Sequence, residues 1–360
     1  FDGFDPAPVH ESARATAELL ERSGLQDVRL LEGGGAPPAV FGEVHVGDDR
    51  PTVLLYAHYD VQPANEDDWA GQPFATEERG GRLFGRGTAD DKGGVLAHAV
   101  AIRSWLDSRG SLPVDVVVVV EGEEEVGSQG LRTLLETSPD WLTADLAVVA
   151  DAVNPSADVP GLAYLLRGSF DVTITVRTAD GPLHSGMFGG SVPDAIGVLV
   201  RLLAGLHDAT GRVAVNGLWT GVRGPTVDEQ AALQPSDPQQ RREEASLRPG
   251  VALLEESREL PTWFGPAVTV VGMDVPSLAD FAHVLTPVAS ARLNVRLAPE
   301  QDLDVVRAAF EAWLLDAAPW GAEVEVTQHA GSPGYRGDPT SPALQAAAGA
   351  LTSAFGATPT

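Results

Sequence analysis

Three apolar segments of strand length end directly in acidic or histidine side chains, and this feature constrains the fold most. The segments cover residues 53–58, 114–120 and 146–150. Apolar runs of this length, of which only the second contains a charge, at Asp115, are typical of buried strands in a parallel sheet. The carboxyl ends of such strands meet at one edge of an open α/β sheet, where ligands bind. Because helical patterns alternate with these segments, the sequence predicts an α/β protein with a polar site at that edge.

The first segment ends in His58 and is followed two residues later by Asp60. Side chains on a strand alternate, so both are expected to point to the same face. A carboxylate that orients a histidine ring is a common arrangement behind a metal ligand. An isolated pair of this kind is weak support for a metal, and the acidic residues after the other segments strengthen it.

The other two segments also deliver carboxylates. Glu124 and Glu125 follow residues 114–120, and Asp151 follows residues 146–150. A run of charge is usually a solvated face of a protein. Here the charges stand at the carboxyl ends of predicted buried strands, so we expect them to converge on one site.

A glycine-rich turn, residues 85–94, adds Asp90 and Asp91 just before a helical pattern over 95–106. Such a turn can bind phosphate at a helix N-terminus, but the segment matches neither known phosphate-binding pattern and its aspartates repel phosphate. Carboxylates together with imidazole suit zinc, manganese or cobalt. Crowding so many carboxylates without cations raises their pKa values and costs stability. The residues therefore predict a dinuclear metal centre.

Composition narrows the classes of partner. The formal net charge of −27 opposes binding to nucleic acid or to anionic membranes. The absence of cysteine excludes disulfides, thiolate nucleophiles and cysteine-based zinc sites. No apolar run approaches the length of about 18 residues that a membrane span requires. We expect a cytoplasmic protein, with no leader peptide visible after Phe1.

The pattern changes after residue 167. Residues 168–330 give the order β-α-β-β-α-β, the split βαβ arrangement. The alanine-rich helix expected over 341–355 should return to the first domain. In the first domain, residues 40–46 alternate between apolar and polar side chains and predict an exposed strand.

The same residues resemble a superfamily of dinuclear metallopeptidases that includes carnosinase, cytosolic nonspecific dipeptidase, glutamate carboxypeptidase and succinyl-diaminopimelate desuccinylase. The chain is most similar to the carnosinase-like dipeptidases, and the resemblance runs nearly end to end. The matching stretches are 58–63, 85–93, 121–128, 183–191 and Asp151 with 164–168.

This resemblance implies a mixed-sheet α/β/α catalytic domain of the zinc-peptidase type with an inserted βαββαβ lid and dimerisation domain. The catalytic domain would comprise residues 1–167 and 331–360, and the lid residues 168–330. The resemblance also implies a homodimer formed through the lid. Two divalent metal ions are implied, with Zn2+ favoured and Mn2+ or Co2+ left open. The implied metal ligands are His58, Asp90, Glu125 and Asp151, with Asp90 bridging the ions.

Further roles follow from the resemblance alone. Asp60 would support His58, and Glu124 would be the general base for a water that bridges the ions. His184 of a partner subunit would stabilise the oxyanion. Arg296 would bind the substrate carboxylate, and His283 lies near the family's polar substrate contact. A cis peptide is expected between Asp90 and Asp91.

Some of these residues also have plainer interpretations. By position alone, His184 fits an ordinary loop histidine and Arg296 a surface charge. Glu121 and Glu123 are expected to be solvated or structural rather than ligands. The family's last ligand is a histidine near the C-terminus, and none of the eight histidines fits it. We therefore expect the chain as given to be incomplete.

The function implied is metal-dependent hydrolysis of the peptide bond of dipeptides or short peptides. An N-acyl amino acid amidohydrolase or desuccinylase of the same superfamily is the alternative within this chemistry. A non-catalytic binding protein on the same scaffold is the alternative outside it. The intact Glu124 argues against that last alternative, because a silent relative has no chemical need for the base.

Overall fold

The computed structural model describes residues 5–137, 142–152, 154–232, 237–254 and 262–359. The chain divides into two compact units, Phe1–Asn154 and Pro155–Thr360. The assignment of residues 331–360 to the catalytic domain stays a prediction. No described helix combines the length and the apolar character that a membrane crossing demands.

The first unit contains helices and strands in alternation. Its helices are α1 (Ala7–Ser23), α2 (Lys92–Arg109) and α3 (Gln129–Thr137). Its strands are β1 (Gln26–Leu31), β2 (Ala39–Val44), β3 (Thr52–His58), β4 (Glu77–Arg79), β5 (Arg82–Phe84), β6 (Asp115–Glu121) and β7 (Leu146–Val149).

A five-stranded mixed sheet, in the order β1-β2-β6-β3-β7, forms the centre of this unit. Strand β3 pairs in parallel with both β6 and β7, whereas β2 pairs with β1 and β6 in antiparallel fashion. The carboxyl ends of β3, β6 and β7 therefore lie at one edge of the sheet. This confirms the mixed α/β fold and the common edge that the three apolar segments predict.

Both faces of the sheet are covered by helices, as the α/β/α layering requires. The central strand β6 is buried along its whole length, and its valines alternate between the two faces. Val118 and Val120 pack with Leu20 of α1 and Ala99 of α2. Val117 and Val119 face the other way, in a cluster flanked by Leu131 of α3. The alternating valines of β6 thus contribute to the hydrophobic core on each face of the sheet.

Two exposure predictions were wrong. Strand β2, expected to be exposed, is almost entirely buried because it lies between β1 and β6. Strand β7, expected to be buried, is exposed along its length because it pairs only with β3 among the described strands. Pairing order decides exposure in both cases, and a single strand's sequence does not encode that order.

The second unit has its own list of elements. Its helices are α4 (Ser185–Phe188), α5 (Ala195–Ala204), α6 (Val227–Ala232), α7 (Pro238–Glu244), α8 (Leu303–Asp316) and α9 (Pro342–Phe355). Its strands are β8 (Leu165–Leu166), β9 (Gly168–Arg177), β10 (Leu183–His184), β11 (Ala267–Asp274), β12 (Val284–Leu285), β13 (Val288–Leu297), β14 (Glu323–Ser332) and β15 (Tyr335–Arg336).

A four-stranded antiparallel sheet, in the order β11-β13-β9-β14, carries this unit. With α5 and α8 its elements follow the predicted order β-α-β-β-α-β. Strands β9 and β13 alternate strictly between buried and partly exposed residues. Their buried side chains pack against Leu199 of α5 and Phe310 of α8. The opposite face of the sheet is polar, which becomes important below.

Two helical glycines are expected to respond to alanine in opposite directions. A Cβ on Gly94 in α2 would lie 2.6 Å from the carbonyl oxygen of Ala150, whereas one on Gly349 in α9 would meet nothing within 4 Å. Gly94→Ala should lower the free energy of unfolding by about 1–3 kcal/mol through overpacking. Gly349→Ala should raise it by about 0.5–1 kcal/mol through helix propensity. Urea unfolding of both variants checks this, and equal midpoints would refute the close approach at Gly94.

Candidate metal centre

His58 is fully buried at the end of β3, and its two ring nitrogens have different neighbours. Nδ1 lies 3.1 Å from Oδ1 of Asp60 and 3.2 Å from the Asp60 carbonyl oxygen. Both neighbours are acceptors, so Nδ1 carries the proton that it donates to them. Nε2 is thereby turned toward the sheet edge, which is how a second carboxylate orients a metal-binding imidazole.

Three carboxylates from separate segments surround Nε2 of His58. Asp90 Oδ1 lies at 3.0 Å, Asp151 Oδ2 at 3.9 Å and Glu124 Oε2 at 4.0 Å. One donor atom each from His58, Glu124 and Asp151 lies within 4.8 Å of the others. The structure therefore brings together residues that are far apart in the chain, as the strand ends predict.

Asp90 and Asp91 are joined by the expected cis peptide bond. Asp91 is buried and acts as the N-cap of α2, where it accepts a hydrogen bond from the Gly94 N–H. Its other oxygen accepts the backbone N–H of His58 at 3.2 Å. Asp91 thus fixes the start of α2 against the end of β3, while the side chain of Asp90 reaches toward the imidazole.

Glu125 lies outside the group of three. Its carboxylate accepts from the backbone N–H of Gln62 at 3.3 Å and from Nε2 of Gln62 at 2.9 Å. Its own backbone N–H donates to Oδ2 of Asp60 at 3.1 Å. The ligand role of Glu125 and the base role of Glu124 stay predictions. Sequence reasoning gave Gln62 no role, although it stands in the matching stretch 58–63 and that signal could have found it.

The turn that carries Glu124 and Glu125 is held at both ends. Oε1 of Glu121 accepts hydrogen bonds from Tyr56 Oη at 2.5 Å and Ser128 Oγ at 2.9 Å. Oε2 of Glu123 accepts the Gly130 N–H at the start of α3, at 2.7 Å. Glu121 and Glu123 are therefore structural, as expected from the sequence.

Close packing also fixes the path of this turn. A Cβ on Gly122 would lie 2.2 Å from the hydroxyl oxygen of Tyr59 and 2.4 Å from its ring carbon Cζ. The Tyr59 hydroxyl donates to the Pro38 carbonyl at 2.6 Å and holds that ring in place. Only glycine fits at position 122, because the backbone there runs directly against the ring.

The crowded carboxylates change the protonation of their neighbours. Burial alone lowers the pKa of His58, but the hydrogen bond and charge of Asp60, with the charges of Glu124 and Asp151, raise it to about 9. Burial raises the pKa of Glu124, with repulsion from Asp151 and Glu125 adding to it against the attraction of His58. The centre therefore attracts positive charge.

The donor set fits divalent metal ions. One imidazole nitrogen and several carboxylate oxygens are the ligands that zinc, manganese and cobalt accept in proteins. The imidazole is already oriented by Asp60, and the free oxygens of Asp90, Glu124 and Asp151 face its Nε2. Cations would relieve the mutual repulsion of these carboxylates.

The predicted site residues of the second unit include two histidines, one on β10 and one immediately before β12. His184 in β10 lies opposite Val284 in β12, and the carbonyl oxygen of His283 accepts from both the N–H and the hydroxyl of Ser185. Both histidines are exposed. The Gly186 N–H donates to Nδ1 of His184 at 3.1 Å, so in the neutral ring the proton sits on Nε2 and is free to be donated.

Arg296 lies near the end of β13 on the polar face of the second unit's sheet. It is exposed, and its Nε donates to Oδ1 of Asn294 at 3.1 Å. Within the described part of the chain its terminal nitrogens have no hydrogen-bond partner and are available to another acceptor.

Comparison with known proteins gives a consistent result. The profile described as peptidase family M20/M25/M40 matches residues 54–360. The chain is 35% identical over 359 residues to a cysteinylglycine-S-conjugate dipeptidase from Corynebacterium striatum, covering 98% of this chain and 76% of that protein. It is 30% identical over 317 residues to a Beta-Ala-His dipeptidase from Rattus norvegicus, covering 81% of this chain and 64% of the relative.

A solved structure shares the architecture. The crystal structure of human carnosine dipeptidase 1 matches 96% of this chain and 76% of its own, with a TM-score of 0.80 and 27% sequence identity. The chain thus spans about two thirds to three quarters of the length of these similar proteins.

Replacing Asp60 is expected to weaken metal binding specifically. Asp60→Asn keeps the size of the side chain, but it removes the charge behind His58 and turns an NH2 group toward either His58 or the Glu125 N–H. Loss of such a supporting carboxylate typically costs about 10- to 100-fold in metal affinity. Titration of Zn2+ against a competing chelator measures the change.

Asp115→Asn is the matched control for this experiment. Asp115 also pairs with a histidine, His45, but at the start of β6. Its replacement should leave the Zn2+ affinity unchanged. If both variants bind Zn2+ as the parent does, Asp60 does not support a metal ligand.

Proposed function

We propose, because the chain belongs to peptidase family M20/M25/M40, that it is a metal-dependent exopeptidase acting on dipeptides or short peptides. The observation that carries the proposal is the convergence of Glu124 and Asp151 on a buried imidazole that Asp60 orients. The similarity to proteins named as dipeptidases supports the substrate class.

Two divalent ions are the proposed cofactors, Zn2+ first and Mn2+ or Co2+ as alternatives that suit the same donors. The side chains that would hold them are His58, Asp90, Glu125 and Asp151. When bound, such ions lower the pKa of water and polarise a carbonyl group.

Glu124 is the proposed general base. Its carboxylate belongs to the grouped donors and its side chain is 39% exposed, so a substrate and a water molecule can reach it. It would take a proton from the attacking water and deliver it to the amine that leaves. The turn that carries Glu124 is held at both ends by hydrogen bonds.

His184 and Arg296 supply the proposed contacts in the second unit. The Nε2–H of His184 is free to donate to the oxyanion of the tetrahedral intermediate. The terminal nitrogens of Arg296 would bind the C-terminal carboxylate of the peptide. His283 is proposed as a further polar contact with the substrate, because it immediately precedes β12, the strand that pairs with His184.

A homodimer through the second unit is part of the proposal, with His184 acting in the site of the other copy. Strand β11 supports it, because it is an edge strand of its sheet. Its exposed side chains include Val270, Val271 and Met273, and its one charged residue is Asp274 at its end. The apolar part of this edge favours pairing with another strand. A cytoplasmic location stays a prediction from the sequence.

Hydrolysis of N-acyl amino acids is the alternative within the same chemistry, and a non-catalytic binding protein is the alternative outside it. Both are separated from the leading proposal by measuring turnover of metal-loaded protein on dipeptides, tripeptides and N-acyl amino acids. Hydrolysis of none of them would overturn the enzymatic proposal. Elemental analysis of the same sample identifies the metal.

Glu124→Gln should abolish hydrolysis while leaving the metal content nearly unchanged. Loss of a general base typically costs about 100- to 10,000-fold in rate. Turnover and elemental analysis of one sample measure both quantities. Glu123→Gln, which keeps an oxygen for the Gly130 N–H, is the control and should retain activity. Full activity of Glu124→Gln would contradict the base role.

The trans role of His184 is tested by mixing two inactive variants. His184→Ala should lose turnover far more than metal binding, because the ring is a donor and not a proposed ligand. After mixing with Glu124→Gln and subunit exchange, half of the dimers would be mixed and each would hold one intact composite site. Activity should then recover to about a quarter of the parent level. No recovery in a proven mixed dimer, or a monomer in solution, would exclude the trans role.

A further inference from the structure

We propose that Asp171 and Asn294 are positioning residues that hold Arg296 with its terminal nitrogens free and its charge uncompensated, ready for the carboxylate of the substrate. The inference rests on the proposed function and deepens it, because it names how one end of the substrate is selected.

The register of β9 and β13 places the participants on one face of the sheet. Asp171 lies directly opposite Asn294, and Arg296 lies opposite Ser169. Arg292, Asn294 and Arg296 are two residues apart along β13, so their side chains share a face. This is the polar face, opposite the one that packs on α5 and α8.

Asp171 uses its two oxygens for different partners. Oδ2 accepts from Nη2 of Arg292 at 3.1 Å and from its Nε at 3.3 Å. Oδ1 accepts from Nδ2 of Asn294 at 2.8 Å. The negative charge of Asp171 is therefore balanced by Arg292, and its hydrogen bond to Asn294 is available for orientation.

The carboxylate decides which way the amide of Asn294 points. An ionised carboxylate only accepts hydrogen bonds, so Asn294 must turn its NH2 group toward Asp171. Its Oδ1 then faces the other way, where it accepts from Nε of Arg296 at 3.1 Å. The guanidinium is fixed through Nε, and the pair of terminal nitrogens remains as a fork that matches a carboxylate.

The hydrogen-bond partner of Arg296 is a neutral amide, so the positive charge of Arg296 remains available to a ligand. Among the described residues Arg296 makes a hydrogen bond to an amide and no ion pair. A second guanidinium lies close by: burial, together with the charge of Arg296, lowers the pKa of Arg167. A site with surplus positive charge and a free fork favours an anion over a neutral ligand.

An aspartate at position 294 would remove both properties. It would place a carboxylate beside Arg296, pair with it internally and compete with the substrate. It would also repel Asp171, because a carboxylate at position 294 has no N–H group to donate to Oδ1 of Asp171. Asn294→Asp is nearly isosteric, so the change in charge dominates over the change in shape.

The experiment compares a dipeptide with its C-terminal amide. For Asn294→Asp, KM of the free-carboxylate dipeptide should rise roughly 10- to 100-fold, the range of a charged hydrogen-bonded contact, while kcat changes little. KM of the amide should stay near the parent value. Asp171→Asn should show the same pattern more weakly, because the amide of Asn294 is then free to turn over.

Thr175→Val is the matched control. It removes the hydrogen bond between Thr175 Oγ1 and Ser290 Oγ, at 3.0 Å, on the same two strands and the same face. Its KM for both substrates should equal that of the parent. A role in sheet stability alone would affect this variant and Asn294→Asp alike and would not distinguish the two substrates.

Binding to the Glu124→Gln background, measured by calorimetry with the same two peptides, separates the inference from the proposed function. Weaker binding of the free-carboxylate peptide caused by Asn294→Asp supports the inference even if the parent hydrolyses no peptide, which would sink only the proposed function. If Arg296→Ala weakens carboxylate binding and Asn294→Asp does not, the positioning role is wrong. If neither substitution changes binding, Arg296 is not the carboxylate contact and the inference falls with it.

Discussion

The carboxylate of Asp60 is the interaction on which the first unit's site depends. One oxygen accepts from Nδ1 of His58 and the other from the backbone N–H of Glu125. A single buried charge therefore sets the direction of the imidazole and the position of the acidic turn at the end of β6. It does so from a side chain that is only 2% exposed, where hydrogen bonds are strong and an unpaired charge is costly.

Hydrogen bonds hold the polar groups around this edge in place, although Oε2 of Glu121 is buried without a partner among the described residues. Asp91 caps α2 and accepts a hydrogen bond from the backbone N–H of His58. Oε1 of Glu121 accepts hydrogen bonds from the hydroxyl groups of both Tyr56 and Ser128. These contacts hold several carboxylates closer together than their repulsion would allow on a flexible surface. The stability that the repulsion costs is offset by packing elsewhere, above all by β6, whose valines are buried on both faces. A rigid sheet edge and a repulsive polar site are two parts of one arrangement.

The sequence predicted the convergence of His58, Glu124 and Asp151 because parallel strands bring their carboxyl ends to one edge. It did not predict the exposure of β2 and β7, which depends on the order of pairing. Nor could it tell which of Glu124 and Glu125 faces the imidazole, since neighbouring residues in a short 3-10 turn point in different directions. The chain from Arg292 through Asp171 and Asn294 to Arg296 required the register of β9 against β13, which local pattern does not encode.

One device recurs in the side chains that the proposed chemistry uses. In His58, Nδ1 is occupied by Asp60, which leaves Nε2 directed at the carboxylates. In His184, Nδ1 accepts the Gly186 N–H, which leaves Nε2 with the proton. In Arg296, Nε donates to Asn294, which leaves the terminal nitrogens free.

Each side chain has several polar atoms that could serve, and a neighbour of fixed hydrogen-bonding character occupies one of them. The neighbour thereby decides what remains available: a ring nitrogen aimed at the carboxylates, a neutral donor or a charged fork. The neighbour of His58 is a carboxylate, where added negative charge would strengthen the proposed metal ligand. The neighbour of Arg296 is an amide, where added negative charge would occupy the very fork that a substrate carboxylate needs.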